Sequence, residues 1–401
     1  MIVRARSVVT MDGPPIDNGT VAVSGDRIID VGEFSEVSAR HLGEEIIDLG
    51  QQALLPGLIN AHCHLDYTCL RDKIAPQKSF TDWICAINAR KAELSPDDYV
   101  SSINDGFAEA KRFGTTTIAN LTAFPELISR TEASIRTWWF AELIDVRDPS
   151  RATEIVDLAV EKLKSTKRWG LAPHAPFTAS ATLYRRCEEV ARNEHILLTT
   201  HLAESREEMS MFRDGNGELY DFLKSIGREM IDCGGATPIQ QFLAEASLPD
   251  WILVHLNEIS EYDFKVLRQF ARKSQIVHCP RSHKYLGHSS FQFGKVRDLG
   301  LNICLGTDSL ASNDDLSLFA EMRAFQKEFP DVWQEEVLKM ATLNPARALR
   351  QEEALGKIRQ GFVADLIAVP FGGSTSIFEA ILGFDGPVGW SMIGGKVQQS
   401  A

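Results

Sequence analysis

Apolar residues in this chain gather into short runs at regular intervals, with polar, helically periodic segments between them. Eight runs read as buried strands: LPGLINAHCH, TTTIANLT (115–122), TWWFAELI (137–144), WGLAPHAP (169–176), ILLTTHLAE (196–204), WILVHLNEI (251–259), SQIVHCPRS (274–282) and NICLGTDSL (302–310). Intervening segments such as SATLYRRCEEVARNE and YDFKVLRQFARK carry the helical period. Eight strand-then-helix units in one domain predict an α/β fold, a (β/α)8 TIM-type barrel over residues 55–354. The ends differ. Residues 1–54 hold short β-like stretches (MIVRARSVV, TVAVSGDRIIDVG, EIIDLG) separated by Gly and Asp, and residues 355–401 hold ADLIAV and SMIGGKVQ. The two ends are expected to pair into a small composite β-sandwich beside the barrel. Two connections, Asp66 to Phe113 and Ser205 to Asp250, are unusually long and are expected to form lids or substrate walls over the barrel mouth.

Composition narrows the partners. A length of 401 residues suits one barrel plus something small, and 44% hydrophobic with 24% charged residues is ordinary for a globular enzyme. A formal charge of −13 argues against nucleic acid or an anionic membrane as partner; a small-molecule substrate is expected. No secretory-type opening and no bilayer-length apolar run is present, so a cytoplasmic location is expected. The seven cysteines are odd in number and lack a CxxC pair, which fits reduced, buried thiols. Barrels of this size often associate, so a homo-oligomer is a further expectation.

The chemistry-bearing residues fall at the ends of the apolar runs. His62 and His64 close the first, His201 the fifth, His255 the sixth and Asp308 the eighth. Residues i and i+2 of a strand point the same way, so His62 and His64 share the barrel axis and Cys63 faces outward. Any one of these histidines alone is more often structural than a ligand. The set, falling on four strand ends, points to a divalent metal. A catalytic zinc takes histidine nitrogens and a carboxylate and keeps one position for water; His62, His64, His201 and Asp308 plus water meet that need. Binding lowers the water pKa to roughly 7. Ligand type alone also accommodates Fe²⁺. Glu204, three residues after His201, is a candidate proton shuttle, against the alternative of a solvated glutamate in AESREE. His255 is a candidate for orienting the attacking water, or else a fifth ligand or a packed histidine.

On PGLINAHCHLD, THLAES, VHLNE, HCPRS and GTDSLASND, the chain resembles the amidohydrolase superfamily, in its mononuclear-metal deaminase branch. These motifs cover the barrel nearly end to end. The resemblance implies His62, His64, His201 and Asp308 as metal ligands, Glu204 as proton shuttle, His255 as water-orienting residue and Asp308 as base toward the water. The bridging lysine of binuclear members has no counterpart in WGLAPHAPFTAS. His174 in that run looks like a base-contacting histidine of adenosine-type deaminases, with a packed core histidine as the alternative.

The stretch KSFTDWICAINARKAEL is similar to a Phe-x-x-Trp…Asn-x-Arg…Leu pattern of deaminases acting on 6-aminodeoxyfutalosine, a menaquinone-pathway intermediate. Relatives acting on S-adenosylhomocysteine or methylthioadenosine share the tryptophan but tend to carry a glutamate for the ribose diol. On this reading Trp83 covers the nucleoside, and Arg90, Arg147 and Arg151 are candidates for a substrate carboxylate. A helix-core tryptophan and solvated helix arginines are the competing readings. Guanine or triazine chemistry on the same fold is the enzymatic rival, and a scaffold that has lost its metal is the non-enzymatic one. One departure is visible: where relatives usually show Ser-Asn after HCP, this chain has Ser282–His283, then Lys284 and His288.

Overall fold

The computed structural model describes residues 1–247, 250–270, 274–373 and 375–398, with only the backbone of Phe270. All eight apolar runs form strands of one parallel sheet, in chain order: Leu58–Cys63, Thr115–Thr122, Arg136–Leu143, Trp169–Pro173, Leu197–Leu202, Ile252–His255, Gln275–His278 and Asn302–Leu305. Burial of both faces explains why these runs lack apolar–polar alternation; every residue of the second, fifth, sixth and seventh strands is buried. Helices alternate with them, giving a (β/α)8 barrel. Closure between the eighth and first strands runs through one carbonyl. His62 O accepts the amides of Thr307 and Asp308 at 3.1 and 3.2 Å, and Cys63 bridges Asp308 in parallel.

Expected helices form with local support. Ser180 caps Ala181–Glu194 by accepting the Leu183 amide. The helix expected over YDFKVLRQFARK is Glu261–Phe270, and its last three expected residues, 271–273, lie outside the described ones. The two long connections are not open loops. The first holds helices Phe80–Lys91 and Pro96–Arg112; the second holds Arg206–Asp214, Glu218–Ser225 and Pro238–Glu245. Their starts carry capping side chains: Ser79, Ser95, Ser205 and Thr237 each accept an amide three residues on.

Both chain ends contribute to sheets outside the barrel. Ile2–Arg4, Gly19–Ser24, Arg27–Glu33 and Ile46–Asp48 make a four-stranded sheet. A six-stranded sheet holds Ser7–Val8, Ile16–Asp17, Gln52–Pro56, Leu366–Pro370, Trp390–Ile393 and Lys396–Gln398. Within it Gln52–Pro56 pairs antiparallel with Leu366–Pro370, so the two ends meet. Val21, Ile28, Leu54, Leu366 and Met392 share one apolar cluster between them. Among the described residues, no helix is long and apolar enough to cross a membrane.

Gly306 sits at the closure, where its amide donates to His278 O at 3.0 Å. A Cβ there would lie 2.8 Å from His62 O and 2.9 Å from Val277 Cγ1. Gly306→Ala is therefore expected to destabilise the fold by about 1–3 kcal/mol, read as a lower Tm by circular dichroism. An unchanged Tm would mean that the strand end has room to part from its neighbour.

Candidate active site

Strand pleating places Asn60, His62 and His64 on one side of the first strand. Asn60 Nδ2 donates to Thr307 Oγ1 at 2.8 Å, and its Oδ1 receives the amides of His62 and Thr307, both at 3.3 Å. One amide side chain thus locks the first strand to the turn that carries Asp308. Cys63 faces the second strand instead, with Sγ 3.4 Å from Asn120 Oδ1. Burial pushes its thiol well above the usual range.

His62, His64 and His201 converge, each offering a ring nitrogen within 4.8 Å of the others. His64 and His201 stack at 5.3 Å and bring their Nε2 atoms to 3.3 Å. Two nitrogens each about 2.0–2.1 Å from a tetrahedral ion stand about 3.3–3.4 Å apart. His201 Nδ1 lies 3.0 Å from His174 O, which fixes that nitrogen as the donor and leaves Nε2 its lone pair. Asp308 Oδ1 is 3.7 Å from His62 Nε2 and 3.9 Å from His64 Nε2. Both ring nitrogens of His62 are buried without any hydrogen-bond partner. A fully buried imidazole with no partner is costly unless something absent from the protein itself completes it. The donor set, three imidazoles and one carboxylate, fits a divalent ion.

Asp308 is held firmly. Ser282 Oγ donates to Oδ2 at 2.7 Å and the Ser309 amide to Oδ1 at 2.8 Å. Burial works against its charge, yet His62, His255 and His64 outweigh that and keep the carboxyl well below the usual carboxylate range. Burial also keeps the imidazoles of His64, His174 and His255 neutral, well below the usual histidine range. Four non-glycine residues at the rim have left-handed backbones: Ala203, His255, Leu256 and Asp308, with φ of 52°, 77°, 49° and 57°. Strain of this kind gathers at functional sites and persists where the surroundings over-determine it.

Glu204 faces the same space. Its Oε1 is 3.6 Å from His255 Nε2 and 3.7 Å from His288 Nε2. Burial pushes its carboxyl up to about 8, so the group is predominantly protonated at neutral pH. Its backbone is fixed by two neighbours. Glu208 Oε2 accepts the Glu204 amide at 2.7 Å and Oε1 the Ala203 amide at 3.2 Å, while Asn257 Nδ2 donates to Glu204 O at 3.0 Å.

The imidazoles open into a cavity of about 740 Å³ including its mouth. Trp83, Phe80, Tyr67 and Phe177 give it apolar walls, and Lys91 and Glu142 also line it. Trp83 stacks on Phe80 at 5.8 Å, and the Phe80 amide donates to Glu207 Oε1 at 2.8 Å. That bond joins the helix of the first long connection to the second. Roomier clefts lie beside the terminal sheets and beside Pro176–Tyr184, but neither contains these imidazoles.

Trp83 and His174 are thus at the cavity, His174 with Nδ1 2.6 Å from Thr178 Oγ1. The three arginines are not. Arg90 is exposed and pairs with Glu93 at 3.2 Å, Arg151 is exposed and pairs with Glu154 at 3.0 Å, and Arg147 is exposed. Helical geometry corrects the first expectation: one residue further along the same helix turns by about 100°, and Lys91 rather than Arg90 reaches the cavity. Its Nζ lies 4.7 Å from the Tyr67 ring centroid. Glu142 went unnoticed in TWWFAELI although it sits at a strand end, with Oε1 3.7 Å from His64 Nδ1.

The family model described as "Amidohydrolase family" matches residues 53–397. The chain belongs to that family. It is 30% identical to the 5-methylthioadenosine/S-adenosylhomocysteine deaminase of Pyrococcus furiosus, over 86% of this chain and 82% of that one. It is 29% identical to the deaminase of the same name from Syntrophobacter fumaroxidans, over 90% and 82%. Among solved structures, Helicobacter pylori aminofutalosine deaminase in complex with methylthio-coformycin superposes with a TM-score of 0.87 at 22% identity, covering 99% of this chain and 100% of that one. An adenosine deaminase from Xanthomonas campestris with bound zinc gives 0.79 at 22% identity, covering 99% and 92%. Likeness at that identity speaks for the fold.

Replacing Glu208 by alanine would leave the buried Ala203 and Glu204 amides without acceptors. The expected cost is about 2–4 kcal/mol, seen as a fall in Tm. A Glu208→Ala protein as stable as native would remove Glu208 from its supporting role.

Proposed function

We propose that the protein is a metal-dependent hydrolytic deaminase that releases ammonia from a 6-aminopurine nucleoside, with 6-aminodeoxyfutalosine of a menaquinone pathway as lead substrate. The observation that carries this reading is the 3.3 Å approach of the His64 and His201 Nε2 atoms, beside the Asp308 carboxylate and the unpartnered imidazole of His62, at an aromatic-walled cavity. His62, His64, His201 and Asp308 would hold one divalent ion, zinc by donor type, with Fe²⁺ compatible. When bound, the ion supplies Lewis acidity and makes a nearby water acidic enough to act near pH 7.

The protein's own groups divide the remaining work. Asp308 accepts a proton from the attacking water, and His255 orients that water toward C6. Glu204, neutral because it is buried, donates its proton to the ring nitrogen as the C6–O bond forms. The proton held by Asp308 then passes to the amino group and the ionised Glu204 takes up the C6 hydroxyl proton; the C6–N bond breaks, ammonia leaves with a 6-oxopurine as product, and both carboxyl groups are restored. Trp83 covers the nucleoside and His174 contacts the base. Seven free cysteines support a reducing, cytoplasmic setting. A barrel over 55–354 with a composite β-sandwich from 1–54 and 355–401 is the accompanying domain reading, supported by the pairing of Gln52–Pro56 with Leu366–Pro370.

A second reading, action on S-adenosylhomocysteine or methylthioadenosine, is favoured by the names of the P. furiosus and S. fumaroxidans relatives. Ammonia release by metal-replete protein from 6-aminodeoxyfutalosine, S-adenosylhomocysteine, methylthioadenosine, adenosine, guanine and a triazine separates the readings. The first compound is expected to show the highest kcat/KM; no release from any aminopurine would end the proposal. Glu204→Gln is expected to lower kcat by about 10²–10⁴-fold while retaining bound metal. His201→Ala is expected to lose the metal itself, from about one ion per chain, measured by plasma mass spectrometry. Full metal occupancy in that variant would disprove the ligand set.

A further inference from the structure

The segment after the seventh strand carries two histidines, His283 and His288, and the function proposed above uses neither. Helix Pro280–Leu286 ends at Gly287, whose φ of +69° turns the chain back so that the His288 amide donates to His283 O at 3.2 Å. The turn buries the His288 side chain, which is only 4% exposed. Phe80 packs against its ring at 5.7 Å and His283 at the same distance. Titratable and charged groups around it are His283, Glu204, Glu207, Glu258, Asp308 and Arg206. Its Nε2 is buried with no hydrogen-bond partner, 3.7 Å from Glu204 Oε1. Closing that gap to hydrogen-bond length takes about 0.5–1 Å, the kind of tightening that catalytic hydrogen bonds undergo when substrate arrives.

We propose that His288 is a positioning residue for Glu204: its Nε2–H donates to Oε1, leaving Oε2 as the oxygen that exchanges the proton with substrate. The inference rests on the shuttle role of Glu204. A neutral imidazole suits the task, since it donates through one nitrogen without placing a charge beside the carboxyl. Burial holds His288 neutral, at about 4. His255 Nε2 approaches the same oxygen at 3.6 Å, so Oε1 lies within reach of two imidazoles.

The test compares His288→Leu with His288→Gln, whose amide restores a donor near the Nε2 position. His288→Leu is expected to lower kcat by about 10–100-fold with KM nearly unchanged and metal content intact, and His288→Gln to regain most of the loss. In a Glu204→Gln background, His288→Leu is expected to cost nothing further, because the two act as one unit. Nitrogen-15 NMR of histidine-labelled, metal-loaded protein is expected to show the Nε2–H tautomer at His288, with an Nε2 resonance that moves in Glu204→Ala. A folded His288→Leu protein with native kcat overturns the proposal, as does a Gln variant no better than Leu, or an Nδ1–H tautomer. If native protein deaminates no aminopurine, the proposed function fails, while tautomer and Nε2 shift still decide whether His288 holds Glu204.

Discussion

Two amide hydrogens on the carbonyl of His62 hold this molecule's chemistry together. They come from Thr307 and Asp308, and they close the parallel sheet at the residue that also offers its imidazole to the centre. Closure and the convergence of His62 with Asp308 are therefore one constraint. Asn60 reinforces it by bonding Thr307 from the strand interior. Gly306 permits it, since any side chain there would meet the same carbonyl. A barrel that failed to close at this seam would separate His62 from Asp308, which lie 246 residues apart along the chain but 3.7 Å apart in space.

The electrostatic design follows from dryness. Unpaired charges in this space would cost several kcal/mol each, and the protein avoids most of them by neutrality. His64, His174, His255 and His288 are kept uncharged by burial, and Glu204 and Glu208 are each pushed up to about 8. Asp308 is the exception, an anion maintained by Ser282, the Ser309 amide and surrounding imidazoles. A carboxylate held ionised among neutral imidazoles is a receptive environment for a dication.

Much of this was legible in the primary structure, and for physical reasons. Strands covered on both faces must be continuously apolar, so eight runs stood out against periodic helices. Residues that end such runs are brought to one rim by topology alone, which is why His62, His64, His201, His255 and Asp308 could be grouped from spacing. The long connections were harder, because their serine caps announce helices that a loop reading overlooks. Helix phase misled at Arg90, since the rotation between adjacent residues exchanges surface for cavity. Glu142 and His288 depend on neighbours remote in sequence, the imidazoles of His64 and the carboxyl of Glu204, and no local pattern encodes such encounters.

The bond between the Phe80 amide and Glu207 has a mechanical corollary. Phe80 carries the stacked Trp83 that walls the cavity, and Glu207 stands three residues beyond Glu204 on the neighbouring connection. An outward displacement of the tryptophan-bearing helix would break this bond, so any widening of the cavity on that side is tied to the segment that follows Glu204.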